Sequence, residues 1–403
     1  MKVLQISTNW GHGGPGGVEK DLYYQLKQDG DTCLIAYGRD SVPSEIPSIR
    51  IGNLFSVITH TLFSRLFDCS GFCSTIATRS LIKKIQLFNP DIIQIHSLLG
   101  YFIDVKTLFG FLKHCEKPIV WTIHDCWPVT GHCINFERIG CEKWIKGCYG
   151  CKLKSDYPKS WFFDFSKQNW RRKRMLFSNV PNLEIVCPSY WLKTVLNKSI
   201  FKKYKIHVIH NGIDRTIFKP VKSDIKEKYH INDKIVLLAV AGVWNEMKGE
   251  KLLYDIANKI DTKYVIVMIG KKSQKKFPKN IISIDRTSNI ETLVEWYSSA
   301  DIFINPTLGD NFPTVNIEAL SCGLPVITNE TGGSPEAVDK DCGLTVKSKT
   351  ADEFVRKIEE GLSKGFSREK CVAASLKFDK ELQYRKYIDV YKELLSNVEG
   401  SES

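Results

Sequence analysis

Short apolar runs alternate with stretches of helical periodicity along almost all of the 403 residues. Val3–Ser7, Thr32–Tyr37, Ile92–His96, Ile119–His124 and Glu184–Pro188 have the aliphatic, β-branched make-up of buried strands. Each is followed by a loop and then by helical spacing. After Ile206–His210 the pattern restarts, with Ile235–Ala241, Tyr264–Ile269, Ile281–Ile284, Ile302–Asn305 and Pro325–Thr328 as a second strand set. Regular alternation predicts parallel sheets joined by right-handed crossovers. Two sets in series predict an α/β chain of two doubly wound domains with a cleft between them. The spacing places the boundary near Lys202–Lys205, ahead of the turn signal Asn211-Gly212. This gives an N-terminal domain 1–204, a second domain 205–380 and a terminal helix 381–403, with Tyr384, Tyr387, Ile388, Tyr391, Leu394 and Leu395 at helical spacing. Gly400–Ser403 reads as a frayed end.

Composition narrows the class. At 403 residues two domains are the default, and 43% hydrophobic with 25% charged residues is ordinary for a globular protein. A formal charge of +12 favours anionic partners without choosing among them. The longest apolar run, Ile235 to Val243, falls short of the ~20 residues that cross a bilayer, and no secretory signal is visible at Met1. Thirteen cysteines, an odd number spread over a long chain, argue for a reducing cytoplasm rather than a disulfide scaffold.

The densest chemistry lies in Asp310-Asn-Phe-Pro-Thr-Val-Asn-Ile-Glu318, which follows the strand around Ile302 and runs into Ala-Leu-Ser-Cys-Gly323-Leu-Pro325. One acid opens a helix at the carboxyl end of a strand, where α/β folds bind anions, and the second lies about two turns on. Gly11-His-Gly-Gly-Pro-Gly-Gly17 follows the first strand and precedes a helix expected from Val18, a context in which glycine backbone approaches phosphate closely. Its dinucleotide-fingerprint spacing is weak, because so many glycines satisfy many patterns. Trp121-Thr-Ile-His124-Asp125 sets a histidine at a strand end, with His96 a parallel candidate. Val243-Trp-Asn-Glu-Met-Lys248-Gly249 brings a cation to the end of another strand. For these loop residues the bland alternatives are a polar strand end and solvated charges.

The block from Asp310 to Val326 resembles the retaining glycosyltransferases of family 4, whose signature is Glu, seven residues, Glu, then Ala-[Leu/Met]-x-Cys-Gly-x-Pro-[Val/Ile]. All of it is kept except the first acid, which is Asp310. Asn211-Gly-Ile-Asp214, Lys248-Gly249 and Gly16-Gly17-Val-Glu19 extend the likeness over nearly the whole chain, although Val243 stands where the family usually has Arg. The resemblance implies a GT-B fold, two Rossmann-like domains facing across a cleft, the first on the acceptor side. The final helix would cross back onto the first domain. It implies metal-independent transfer of a sugar from a UDP- or GDP-linked donor to a glycan or polyprenyl-diphosphate-linked acceptor, with retention, in assembly of capsule, O-antigen or a similar polysaccharide. On that pattern His124, Asp310 and Lys248 act at the reacting centre. Gly16, Gly17, Asn311, Phe312, Pro313, Thr314, Val315 and Glu318 bind the donor, with Glu318 on the ribose. The alternatives are a GT-B nucleotide-sugar 2-epimerase and a silent sugar-nucleotide-binding protein.

Two further features stand beside this scheme. Cys133, Cys141, Cys148 and Cys151 fall in one irregular stretch, an insertion over about 126–160, and four thiolates could complete a structural zinc site. Reduced thiols packed as small hydrophobes, or a redox pair, are the alternatives. Asn53 to Phe67, with Leu54, Phe55, Ile58, Leu62 and Leu66 on one helical face, and the basic run Trp170-Arg-Arg-Lys-Arg174 could together touch an anionic membrane. A core-facing helix and a solvated charged face are the commoner explanations and are expected here. No stacking pattern accompanies the basic run, so nucleic acid is not an expected partner.

Overall fold

The computed structural model describes residues 1–11, 13–272, 276–285 and 289–399. The expectation for Gly400–Ser403, and His12 of the glycine loop, lie outside them. Contacts divide the chain into two compact units: Met1–His210 with the chain from Gln383 onward, and Asn211–Leu382.

Among the described residues the first unit holds seven strands: β1 (Lys2–Asn9), β2 (Thr32–Arg39), β3 (Ser48–Arg50), β4 (Ile92–Ile95), β5 (Ile119–Thr122), β6 (Leu183–Cys187) and β7 (Ile206–Val208). They form one sheet in the order β3-β2-β1-β4-β5-β6-β7, every pairing parallel. β7 therefore completes the first sheet, against the expected boundary at 204/205. It pairs with β6 through Ile185, Val186 and Cys187, so the division falls after His210. The short edge strand β3 was not foreseen. Apolar residues alternate to the two faces, Leu4 and Ile6 to one core and Val3 to the other.

The second unit holds β8 (Ile235–Val243), β9 (Tyr264–Lys271), β10 (Ile281–Ile284), β11 (Ile302–Asn305), β12 (Val326–Asn329) and β13 (Gly343–Val346). Their order is β10-β9-β8-β11-β12-β13, again all parallel. Chain order reverses direction between β8 and β11, and the crevice at such a switch point is where open α/β sheets bind ligands.

The final helix, Lys380–Glu399, belongs to the first unit from Gln383 on. Tyr384, Tyr387, Ile388, Tyr391 and Leu394 are buried in the same core as Val3, Val18 and Ile92. The Tyr391 hydroxyl donates to Gln94 Oε1 of β4 at 2.8 Å. The helix Leu54–Phe67 reverses its expected orientation. Its buried residues are Val57, His60 and Ser64, while Leu54, Phe55, Ile58 and Leu62 are exposed. The reason is polar anchoring on the inner side: His60 Nε2 accepts the Gly71 amide at 3.2 Å and its Nδ1 lies 2.8 Å from Ser74 Oγ. The basic run is not uniformly solvated either. Lys173 is buried, with Nζ donating to the Trp127 carbonyl at 2.6 Å and lying 3.8 Å from the centre of that indole ring.

Candidate active site

At the switch point the loops following β8, β11 and β12 are stitched by buried polar groups. Thr307 Oγ1 and the Leu308 amide both donate to the Met247 carbonyl, at 3.2 and 2.8 Å. Asn329 Nδ2 donates to the carbonyls of Pro306 and Thr307, each at 2.9 Å. Asn305 Nδ2 reaches Asn316 Oδ1 at 2.8 Å, and Asn316 Nδ2 in turn reaches the Ser334 carbonyl at 3.0 Å. Buried groups satisfied in this way hold one loop geometry, because any other leaves them unpaired in a poor solvent.

This scaffold presents Lys248 and Asp310. Lys248 Nζ lies 2.5 Å from Asp310 Oδ2, with both side chains partly open to solvent. Gly249, in the left-handed region at φ +76°, lets the lysine turn pass the end of β11; a Cβ there would stand 2.1 Å from the Pro306 carbonyl oxygen. Gly332 does the same beside Asp310, whose carbonyl oxygen would lie 1.8 Å from an added Cβ. Phe312 is buried against Phe378, and its carbonyl accepts from Asn211 Nδ2 at 3.1 Å. The Asn211-Gly-Ile-Asp turn thus braces the acid loop. Pro313 caps the helix Thr314–Ser321, so Asn311 to Val315 form the strand-to-helix passage expected of them.

Glu318 sits on that helix, partly buried. Burial raises its carboxyl above the usual range, opposed by hydrogen bonds from Tyr297 and Thr314. The Tyr297 hydroxyl donates to Oε2 at 2.9 Å. Sequence spacing had not singled out Tyr297, which lies 21 residues earlier on the helix Ile290–Ser299. Lys272, which follows β9, lies with its Nζ 3.2 Å from Asp285 Oδ1. Val243 itself is exposed.

In the first unit the helix begins at Gly13, not Val18. Gly13, Gly14, Gly16 and Gly17 therefore form its first turn rather than a free loop, closed by the Gly11 amide donating to the Gly16 carbonyl at 3.0 Å. Gly16 packs on β1, where a Cβ would be 2.6 Å from the Asn9 carbonyl oxygen. Unbonded first-turn amides make such a helix start receptive to an anion. His124 and His96 come together at the ends of β5 and β4, rings stacked 5.7 Å apart, with His96 Nδ1 3.4 Å from His124 Nε2. His96 Nε2 lies 2.9 Å from Gln5 Oε1. Burial lowers both imidazoles, His124 to about 3, so both are neutral at neutral pH.

Cys133, Cys141, Cys148 and Cys151 line one cavity of about 250 Å³, together with His132 and Trp144. Cys148 Sγ accepts the Gly131 amide at 3.1 Å. His132 Nδ1 lies 2.5 Å from Asp68 Oδ1, and its buried Nε2 has no hydrogen-bond partner. Among the described residues no three His, Cys, Asp or Glu side chains are already drawn together as a metal-holding set. No disulfide joins any of the thirteen cysteines.

With this geometry in place the chain can be set beside known proteins. Over 374 residues it is 27% identical to WcaC of Escherichia coli strain K12, whose name assigns it to glycosyl transfer in colanic acid biosynthesis; the match covers 88% of this chain and 90% of the relative. Over 216 residues, 49% of this chain and 57% of the relative, it is 27% identical to a Campylobacter jejuni enzyme named as an N,N'-diacetylbacillosaminyl-diphospho-undecaprenol alpha-1,3-N-acetylgalactosaminyltransferase. In three dimensions it resembles sucrose-phosphate synthase of Thermosynechococcus elongatus, with a TM-score of 0.74 at 15% identity over 98% of this chain and 99% of that one. Anabaena HepE, solved in complex with UDP-glucose, follows at 0.69 and 14% identity over 98% and 100%. At such low identity these two show the fold alone, which is GT-B. Residues 234–364 match the family described as glycosyl transferases group 1, and residues 13–216, half of the chain, match Glycosyltransferase Family 4, so the chain belongs to that family and is a glycosyltransferase.

Proposed function

We propose that the chain transfers a sugar from a UDP- or GDP-linked donor to a glycan or polyprenyl-diphosphate-linked acceptor in cell-surface polysaccharide biosynthesis, with retention at the anomeric carbon. The carrying observation is the Lys248–Asp310 pair braced at the switch point of the second sheet. Lys248 has three donors, so it can keep Asp310 and still hold a diphosphate oxygen, opposing the charge that develops as the diphosphate leaves. Asp310 is then free to orient sugar hydroxyls through its remaining lone pairs. Glu318, with about four acceptor sites and Tyr297 and Thr314 using some of them, retains capacity for a ribose diol. A neutral His124 serves the sugar side as a donor or acceptor without adding charge. The leaving phosphate takes the acceptor proton, and no protein nucleophile is required. The relatives named for colanic acid and for an undecaprenol-linked acceptor support the polysaccharide setting. HepE supports a uridine nucleotide by its bound UDP-glucose. Thirteen cysteines with no disulfide among them favour the cytoplasm, and no helix among the described residues is long and apolar enough to cross a membrane.

A thermal-shift panel of nucleotide sugars tests the reading, since a donor at 100 times its Kd stabilises the native state by about 2.7 kcal/mol. One donor should raise the melting temperature and be consumed with a lipid-linked acceptor. Binding of a donor without turnover would overturn transfer, and Glu318→Ala with unchanged nucleoside diphosphate affinity would overturn the ribose assignment.

For the cysteine loop we propose a structural zinc ion. Four thiols on one cavity support it, the number that completes a tetrahedral shell. The thiols must close inward to coordinate. Zinc near one equivalent per chain, lost in a variant with Cys148→Ser and Cys151→Ser, is the expected result; protein purified without chelator and free of zinc refutes it.

A further inference from the structure

Two thiols meet outside both the candidate donor site and the cysteine loop proposed for zinc. Of the six cysteines that are not buried, Cys141, Cys148 and Cys151 line the cavity described above, and Cys115 turns its thiol to the Leu112 carbonyl. The remaining two, Cys69 and Cys73, lie with their sulfurs 3.5 Å apart in the connection between the helices Leu54–Phe67 and Thr75–Phe88. That connection is held along its length. The Phe72 amide closes a turn on the Cys69 carbonyl at 3.0 Å, and the Val105 amide donates to the Gly71 carbonyl at 2.8 Å. Gly71, at φ +84°, presses on Trp127, whose ring would lie 2.8 Å from an added Cβ. With His60 bonded to Gly71 and Ser74 on the inner side, the turn has little freedom to carry the two sulfurs apart. A disulfide bond is about 2.05 Å long, so side-chain rotation has to bring them about 1.5 Å closer.

The two thiols are not equivalent. The Cys73 thiol donates to Cys69 and holds it below its usual range; burial opposes this, while Ser64 and the Arg172 guanidinium assist it. Arg172 lies over the Phe72 ring, 5.7 Å from its centre. Cys73 is pushed up by the same contact and by burial. A partly exposed thiol activated in this way, beside a second thiol, is placed as a nucleophile with its resolving partner. We propose that Cys69 and Cys73 form a redox-active dithiol, oxidised by hydrogen peroxide to an intramolecular disulfide. The Cys69 thiolate attacks one peroxide oxygen, the O–O bond breaks, and the departing hydroxide takes a proton to become water. Cys69 is then a sulfenic acid. The Cys73 sulfur attacks the Cys69 sulfur, the S–S bond forms and the S–O bond breaks, and the hydroxyl leaves with the Cys73 proton as a second water. The two thiols give up two electrons and two protons to the peroxide. Exchange with a low-molecular-weight thiol restores them, so in a reducing cytoplasm the bond is transient. None of the donor-site or zinc-loop residues takes part, so each of those readings can fail without this one.

Peptide mapping tests it. The reduced chain is treated with a small excess of hydrogen peroxide, alkylated in denaturant with iodoacetamide and digested with trypsin. Cleavage after Arg65 and Arg79 releases residues 66–79, which contain Cys69 and Cys73 and no other cysteine. This peptide should appear unalkylated and two hydrogen atoms lighter, and dithiothreitol should return both thiols. In Cys73→Ser, Cys69 should stop at the sulfenic acid and be captured by dimedone. In Cys69→Ser, capture at Cys73 should be weaker by at least about tenfold. A wild-type peptide still alkylated at both sites after peroxide overturns the proposal. So does either sulfur joined to a cysteine of another peptide, or Cys73 captured as readily as Cys69.

Discussion

Gly249→Ala tests whether the lysine turn is held where the site needs it. The residue lies at φ +76°, and an added Cβ would stand 2.1 Å from the Pro306 oxygen, 2.6 Å from its carbonyl carbon and 3.0 Å from its Cβ. The left-handed conformation costs alanine about 1–2 kcal/mol relative to glycine. An ordinary contact is about 3.5 Å, so the turn must also retreat by about 1.4 Å from the end of β11. That retreat strains the two bonds converging on the Met247 carbonyl, worth about 1 kcal/mol each. The sum is about 3 kcal/mol, a fall in melting temperature of about 6–12 °C for a unit of this size. Lys248, the preceding residue, moves with the turn, and nucleoside diphosphate affinity should drop by about tenfold or more. Urea unfolding and a nucleotide titration measure the two effects. Gly242→Ala is the control, because Gly242 has nothing within 4 Å of an added Cβ; it should change stability by less than about 0.5 kcal/mol. Gly249→Ala with stability as little changed as that would refute the reasoning.

Lys248→Ala should behave differently: its pair with Asp310 is solvent-accessible, so stability should change by less than about 1 kcal/mol, while diphosphate binding weakens about 10- to 100-fold by titration calorimetry. Tyr391→Phe removes a buried hydroxyl bonded to Gln94 Oε1 and should cost about 1–3 kcal/mol in urea unfolding, with donor binding unchanged. Glu19 is fully buried, and burial holds its carboxyl well above the usual range, against a lowering influence from Ser7. The folded state therefore keeps this proton longer than the unfolded state, so the stability it contributes is complete below the unfolded value near 4.5 and is lost as pH rises toward the folded value. Glu19→Gln should accordingly gain on wild type as pH climbs from about 5 to 8, at up to about 1.4 kcal/mol per unit. A difference that does not vary with pH over that range would contradict the placement of the carboxyl.

Much of the fold was legible because a strand buried on both faces must be apolar nearly throughout. β8 to β12 were visible as runs for that reason, and β10 and β11 were placed residue for residue. β3 and β13 escaped notice: they are four residues or fewer at the sheet edges, where one partner strand suffices and apolar character is diluted. β7 looked like the start of the second unit because periodicity reports that a strand exists and not which sheet accepts it. Within the candidate site, Asp310, Lys248 and the following Gly249 were readable from type and order. Tyr297, the bond from Asn211 to Phe312 and the Asn305–Asn316–Ser334 network were not, since each acts through a partner that sequence spacing does not reveal.

By itself the sequence determined two parallel α/β units, the strand ends that bear the acids and the cation, and membership of a glycosyltransferase family. Those properties follow from local period and from residue types that chemistry rarely substitutes. Tertiary structure alone decided which face of an amphipathic segment is buried. Helical spacing put Leu54, Phe55, Ile58 and Leu62 on one side, and that pattern serves a core or an outward ridge equally well. Only the bonds of His60 to Gly71 and Ser74 turned the polar side inward. Long-range contacts likewise buried Lys173 within a basic run and drew His96 to His124, because the energy of those placements lies in partners that the local pattern does not contain.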